Sequence, residues 1–133
     1  IRPGTDGLFV GAIIHELLNA QKIDGDYLLR YTNSPWLIIE NPGGGDDGLF
    51  ARNAQGSALV WDSHSGTPMP ALSPDALPKL MGRFKLQDGR RVVTSFTLIA
   101  ERFLDESWSP DRVAERCGVP AVTIRRIAAE LAR

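Results

Sequence analysis

The sequence predicts an α/β protein, and an α+β fold for the 133 residues taken by themselves, with helices at both ends around a small antiparallel β meander. Two observations predict this class. Apolar residues recur at three- and four-residue spacing near both ends of the chain. Short runs of strand-forming residues lie between these regions and are separated by Gly, Pro, Asn and Asp.

The N-terminal region predicts two helices, because its apolar spacing is helical and capping residues precede each run. The C-terminal region, residues 94–133, predicts three more, with a Ser-Pro start and a glycine stop inside it. The predicted starts are Thr5 or Asp6, Asp24, Thr94 or Ser95, Ser109 and Pro120; the second helix ends near Tyr31 and the fourth at Gly118.

Residues 35–93 predict a β-rich insertion. Asp88 and Gly89 form a strong hairpin signal, and a second loop at residues 53–56 contains glycine. The proline-rich stretch 62–82 has little pattern and predicts an ordered surface crossing. The predicted strands are residues 35–39, 49–52, 58–61, 83–86 and 91–93.

The composition excludes several classes of protein. Fifteen Lys and Arg residues stand against 16 Asp and Glu, and this net charge of −1 argues against a broad polyanion-binding surface. No apolar run approaches the roughly 20 residues that span a bilayer, so no direct membrane insertion is expected. The single cysteine, Cys117, excludes an internal disulfide and a multi-cysteine metal site.

Most short motifs have a structural interpretation. The glycines at 43–45 are followed by two aspartates rather than Lys-Ser, so they predict a solvated turn instead of a phosphate loop. Asp62, His64 and the serines beside them predict a surface turn, because members of a catalytic triad meet through folding and not as neighbours. His15 and His64 do not make a metal site, and Cys117 is expected to be a small core residue. We therefore expect no catalytic residue and no metal ligand in this chain.

Residues 109–133 also resemble a helix-turn-helix. In that alternative, a small DNA-binding regulator would present Thr123, Arg125 and Arg126 to a groove. Acidic residues are interspersed with these cations, which opposes contact with phosphates. We therefore expect no nucleic-acid partner, and DNA binding stays the alternative function.

The opening of the chain offers a different chemistry. Pro3, Gly4, Thr5 and Asp6 precede the first helix, where glycine permits close approach and first-turn amides can donate hydrogen bonds. The Asp6 carboxylate can accept two parallel bonds from an N–H/NH₂ edge such as that of guanine. A simple helix cap is the competing interpretation.

Three motifs in this order resemble the molybdopterin oxidoreductases of the dimethyl-sulfoxide-reductase superfamily. The first is the loop from Pro3 to Asp6, within residues 1–6. The second runs from Asp24 to Asn33 and contains Arg-Tyr-Thr at residues 30–32. The third lies in the tail and runs from Trp108 to Ala128. The resemblance covers nearly the whole chain, is most specific at the ends and is weakest over residues 62–93. It implies that residues 1–133 are a single domain or a fragment of the region that binds molybdopterin guanine dinucleotide.

The resemblance implies a parent catalytic subunit carrying molybdenum or tungsten on two molybdopterin guanine dinucleotides. Pro3, Gly4, Thr5 and Asp6 would be the cofactor-binding residues, with Asp6 contacting guanine. The partners would be the remainder of that large polypeptide and an iron–sulfur electron-transfer protein, in a prokaryotic cytoplasm or periplasm. The parent would be an oxidoreductase, and this chain alone is expected to be inactive. Nitrate, formate, thiosulfate, polysulfide and arsenic oxyanions all stay open as substrates.

Overall fold

The computed structural model describes all residues, Ile1–Arg133. They form two compact units: a helical unit of Ile1–Ile23 with Ile99–Arg133, and a β unit of Asp24–Leu98. The predicted α+β class, with helices at both ends and antiparallel strands between them, is confirmed. The interpretation of residues 35–93 as an insertion stays a prediction.

The chain contains five α-helices, five short strands and one 3₁₀ helix. In chain order these are α1 (Asp6–Asn19), α2 (Gly25–Tyr31), β1 (Leu37–Ile39), β2 (Leu59–Trp61), β3 (Pro68–Pro70), β4 (Arg83–Lys85), β5 (Arg91–Thr94), α3 (Ser95–Leu104), the 3₁₀ helix (Glu106–Trp108), α4 (Pro110–Cys117) and α5 (Ala121–Leu131). None of the helices combines the length and the apolar character that a membrane crossing requires.

The helical unit is held by packing among α1, α4 and α5. Its core includes Ala12 of α1, Val113 of α4 and Ile124 of α5, all fully buried. Burying a side chain such as Val113 or Ile124 contributes about 1.5–3 kcal/mol. A further contact explains a glycine in α1, since a Cβ atom on Gly11 would overlap the indole ring of Trp108.

Sequence signals fix the bounds of α4. Pro110 occupies its first turn, where the missing amide hydrogen costs nothing. Gly118 follows its end with φ of 74°, a left-handed conformation that glycine adopts without strain. Both predicted boundaries are confirmed.

The β unit contains a three-stranded antiparallel sheet of order β1-β5-β4 and a two-stranded pair of β2 with β3. The predicted Asp88-Gly89 turn joins β4 to β5: Gly89 has φ of 90°, and the Leu86 amide donates to the Arg90 carbonyl at 2.9 Å. The turn aligns Phe84 with Val92 across the two strands.

Side chains from several strands form the core of the β unit. Leu37 and Val92 are fully buried. Trp61 of β2 stacks on Phe84 of β4 with ring centroids 4.4 Å apart and planes 5° from parallel. Such an aromatic pair adds about 0.5–1.5 kcal/mol beyond its buried area.

Two expectations for this unit were wrong in detail. Residues 49–52 form no regular strand, although Phe50 and Arg52 make isolated bridges, to Ile38 and Ala58 respectively. The proline-rich crossing contains a strand, β3, whose prolines face β2 in the register Leu59 to Pro70 and Trp61 to Pro68. Proline is compatible with such an edge strand because the missing amide is not needed on one side.

Candidate functional site

The N-terminal loop, residues 2–6, is a tight turn leading into α1. The Thr5 amide donates to the Arg2 carbonyl at 3.2 Å, and Gly4 has φ of 76°. Pro3 and Gly4 thus occupy the two central positions of a turn that favours proline first and glycine second. Three of the four predicted site residues, Pro3, Gly4 and Thr5, lie in this turn, and the fourth, Asp6, is the first residue of α1.

The end of α4 supports the N-terminal loop. The Arg2 amide donates to the Cys117 carbonyl at 2.8 Å. The backbone of Gly118 packs on the Arg2 side chain so closely that a Cβ there would lie 3.1 Å from Cγ. The loop is therefore positioned by a helix distant in sequence.

Thr5 is the residue that precedes α1, but its hydroxyl does not cap the helix. It donates to the Arg2 carbonyl at 2.6 Å, and the expected capping bond, in which a first-turn amide donates to the Thr5 hydroxyl oxygen, is absent. The amides of Leu8 and Phe9 donate to the Thr5 carbonyl, whereas those of Asp6 and Gly7 have no partner in the chain. The first turn of α1 therefore has two backbone amides that can donate hydrogen bonds to another group.

Asp6 supplies an acceptor beside these donors. Its side chain is exposed and takes part in no hydrogen bond or ion pair. A carboxylate with both oxygens available can accept two parallel hydrogen bonds from an N–H/NH₂ edge. The Asp6 carboxylate supplies the acceptors that an N–H/NH₂ edge requires, and the free amides of Asp6 and Gly7 supply donors beside it.

Asp62 has a structural role rather than a catalytic one. Its two carboxylate oxygens accept hydrogen bonds from the amides of Ser65 and Leu77, both at 2.7 Å. These bonds lower the pKa of Asp62 from 3.8 to about 2. His64 is exposed and its side chain makes no bond to Asp62. The predicted surface turn is confirmed for residues 63–65, whereas Asp62 itself is buried.

His15 and Cys117 are both buried in the helical unit, as expected. His15 lies against the end of α3, where its Nδ1 is 2.8 Å from the Phe103 carbonyl oxygen. No group of three or more potential metal-ligating side chains occurs in the chain.

The glycine-rich turn at residues 43–45 is held by its own polar residues. The Asn41 side-chain amide donates to Asp46 and its backbone amide to Asp47, each at 2.7 Å. The carboxylates that follow the glycines are thus used to close the turn, and the predicted solvated turn is confirmed.

The cations of α5 are paired with carboxylates. Arg125 contacts Asp111 of α4 and lies 3.8 Å from Glu16 of α1, and its hydrogen bond lowers the pKa of Asp111. Arg126 pairs with Glu130 one turn along at 2.6 Å. These pairs leave neither arginine as an uncompensated phosphate contact.

Sequence reasoning missed one arrangement of charges. Lys85 of β4 lies directly opposite Arg91 of β5, and neither belongs to an ion pair. The Asp88-Gly89 turn could have revealed it, because a hairpin turn fixes the register of the strands that it joins.

No family model matches the chain. The chain is similar to a sulfite dehydrogenase subunit of Allochromatium vinosum, with 41% identity over 140 aligned residues. The match includes 98% of this chain, and the chain spans about 14% of the length of that relative.

This match corrects the function inferred from the sequence. The assignment to the molybdopterin oxidoreductases, as a catalytic fragment with two molybdopterin guanine dinucleotides, is replaced because the relative that matches nearly the whole chain is a sulfite dehydrogenase subunit. The alternative of a DNA-binding regulator is wrong for the same reason. The pairing of Arg125 and Arg126 supplies a physical reason as well.

Proposed function

We propose that this chain is part of a multi-subunit oxidoreductase that oxidises sulfite and passes the electrons to a partner protein. The observation that carries the proposal is the 41% identity to the sulfite dehydrogenase relative across nearly the whole chain. The reaction converts sulfite and water to sulfate with release of two electrons and two protons. An electron-accepting partner is therefore needed.

The N-terminal loop supports a proposal for this chain's own contribution. Its exposed Asp6 carboxylate, together with the amides of Asp6 and Gly7, would hold the base of a nucleotide-type redox cofactor that presents an N–H/NH₂ edge. Guanine has such an edge. The cofactor that we propose is therefore molybdopterin guanine dinucleotide with molybdenum or tungsten. That group, when bound, supplies two-electron chemistry at its metal.

The neighbouring residues hold the loop rather than contact the cofactor base. Thr5 uses its hydroxyl to close the turn on Arg2. Gly4 supplies the left-handed backbone, and the Arg2 amide ties the turn to α4. This division predicts that only Asp6 contributes a side chain to recognition.

The activity is tested on the intact protein purified with its partners. We expect sulfite-dependent reduction of ferricyanide well above the rate with heat-inactivated protein, and no such reduction with formate, arsenite or thiosulfate. Failure to oxidise sulfite, with oxidation of one of the other donors instead, would overturn the proposed substrate.

The role of Asp6 is tested by Asp6→Ala in the same intact protein. We expect lower molybdenum and guanine-nucleotide content per molecule than in the parent protein. Asp26→Ala is the matched control, since Asp26 is also an exposed aspartate in the first turn of a helix. Equal cofactor content in all three proteins would remove Asp6 from the proposed site without affecting the proposed reaction.

A further inference from the structure

A cleft of about 560 Å³ beside the three-stranded sheet is lined by three cations and three other residues: Arg83, Lys85, Arg91, Glu40, Pro42 and Phe84. Lys85 and Arg91 face each other across β4 and β5. The Glu40 amide donates to the Arg91 carbonyl at 2.9 Å, which places Glu40 opposite Arg91 on the other side. Because side chains at directly opposed positions share a face, these three form a row across the sheet.

The only carboxylate in this row is already engaged. Arg83 Nε lies 3.1 Å from both carboxylate oxygens of Glu40. Lys85 and Arg91, here called the basic pair, are exposed and have no acidic partner. Like charges directly opposed across a sheet destabilise it. The basic pair therefore lowers the stability of the sheet in the chain taken by itself.

Protection of the sheet edge explains Lys85 but not Arg91. Lysine on an outer strand discourages unwanted strand pairing, and β4 is an outer strand. Arg91 lies on β5, which is the central strand. Edge protection therefore gives no reason for the second cation.

The outer edge of β4 has backbone groups available beside Lys85. The Leu86 amide bonds to the Arg90 carbonyl, and the Thr94 amide bonds to the Gly82 carbonyl. Because hydrogen-bonded pairs alternate along an antiparallel ladder, the amide and carbonyl of Lys85 point away from β5. A strand added at this edge would find a donor and an acceptor there.

We propose that the β4 edge binds an extended acidic segment of a partner protein, which adds a strand to the sheet and places a carboxylate opposite Lys85. The side chains across the sheet would then be, in order, Glu40, Arg91, Lys85 and a partner carboxylate, so that an acid lies on each side of the two cations. An acidic segment fits better than a small oxyanion, because both cations lie on an open face where water screens a single ion pair. This interaction is independent of the reaction proposed above.

The test uses a fluorescein-labelled peptide of alternating Glu and Val and measures its fluorescence anisotropy with the full chain. We expect saturable binding, weakened about tenfold by Lys85→Glu or Arg91→Glu because like charges then face each other. Lys85→Gln should weaken it less. Lys22→Glu is the matched control, since it changes the net charge equally at an exposed site in the helical unit.

Two further arms distinguish the mode of binding. A peptide methylated on alternate backbone amides should lose binding if it adds a strand. Sodium sulfate should compete no better than sodium chloride of equal ionic strength. The proposal is overturned by absence of binding, by equal weakening in Lys22→Glu, by full binding of the methylated peptide, or by selective competition from sulfate, which would indicate an oxyanion site.

Discussion

The arginines of α5 and the basic pair of the sheet are both pairs of exposed cations, but the fold surrounds them differently. Arg125 is compensated by Asp111 and Glu16, carboxylates from two other helices. Lys85 and Arg91 lie opposite one another without a counter-ion. A cluster of cations therefore indicates binding only where the fold places no carboxylate beside it.

The largest expected effect concerns the packing of α1 against Trp108 in the helical unit. Gly11→Val would force a branched side chain into the space of the Trp108 ring and lower the free energy of unfolding by about 3 kcal/mol. Gly7→Val, one turn earlier on α1 with open space around its Cβ, is the control. Urea unfolding measures both, and equal stabilities would show that Trp108 moves aside without cost.

The next effect is a pH dependence in the β unit. The amides of Ser65 and Leu77 hold the pKa of Asp62 at about 2, below its ordinary 3.8, so its stabilising bonds are fully present above pH 3.8 and are lost as the pH falls through 2. The thermal unfolding temperature of the parent chain should therefore fall more steeply between pH 4 and 2 than that of Asp62→Asn. Parallel curves would contradict this role.

A smaller effect is expected at the paired arginine. Arg125→Ala removes contacts with two partly exposed carboxylates and should lower the free energy of unfolding by about 1 kcal/mol. The loss should shrink in high salt, because salt screens exposed charges. An Arg112→Ala variant, which removes an exposed arginine of α4 outside these pairs, provides the comparison in chemical denaturation.

The smallest effect has the opposite sign. Lys85→Gln relieves the repulsion from Arg91 and should raise the free energy of unfolding by about 0.2–0.5 kcal/mol at low salt. Thermal scans with and without added sodium chloride would measure it. A destabilised variant would show that Lys85 already has a favourable electrostatic environment.

The caps, turns and helix ends that depend on neighbouring residues could be predicted from the sequence. Asp24 caps α2 by accepting from the Tyr27 amide at 2.9 Å, and Asp88, Gly89 and Gly118 form the turn and helix end that the sequence indicates. Each depends on backbone geometry within a few residues. For the same reason, the turn from Pro3 to Asp6 could be located from its sequence.

The features that sequence reasoning missed depend on distant contacts. Trp61 stacks on Phe84 from another strand. The Thr5 hydroxyl is the exception, because it donates to the carbonyl of Arg2, three residues earlier, instead of capping α1. β3 forms because β2 supplies a partner for a proline-rich segment whose own pattern is weak. The ligand preference of Asp6 stays a prediction, since an exposed carboxylate without a partner fits the proposed base but is not specific for it.

The discontinuous helical unit has a consequence for synthesis on the ribosome. α1 is synthesised before α4 and α5, which carry Val113 and Ile124, the residues that cover its apolar face. Until those helices emerge, the nascent α1 exposes Ala12 and Ile13 to water and has few stabilising contacts of its own. The core of the helical unit is therefore complete only after α5 has been synthesised, whereas the β unit is formed by one continuous stretch, Asp24–Leu98.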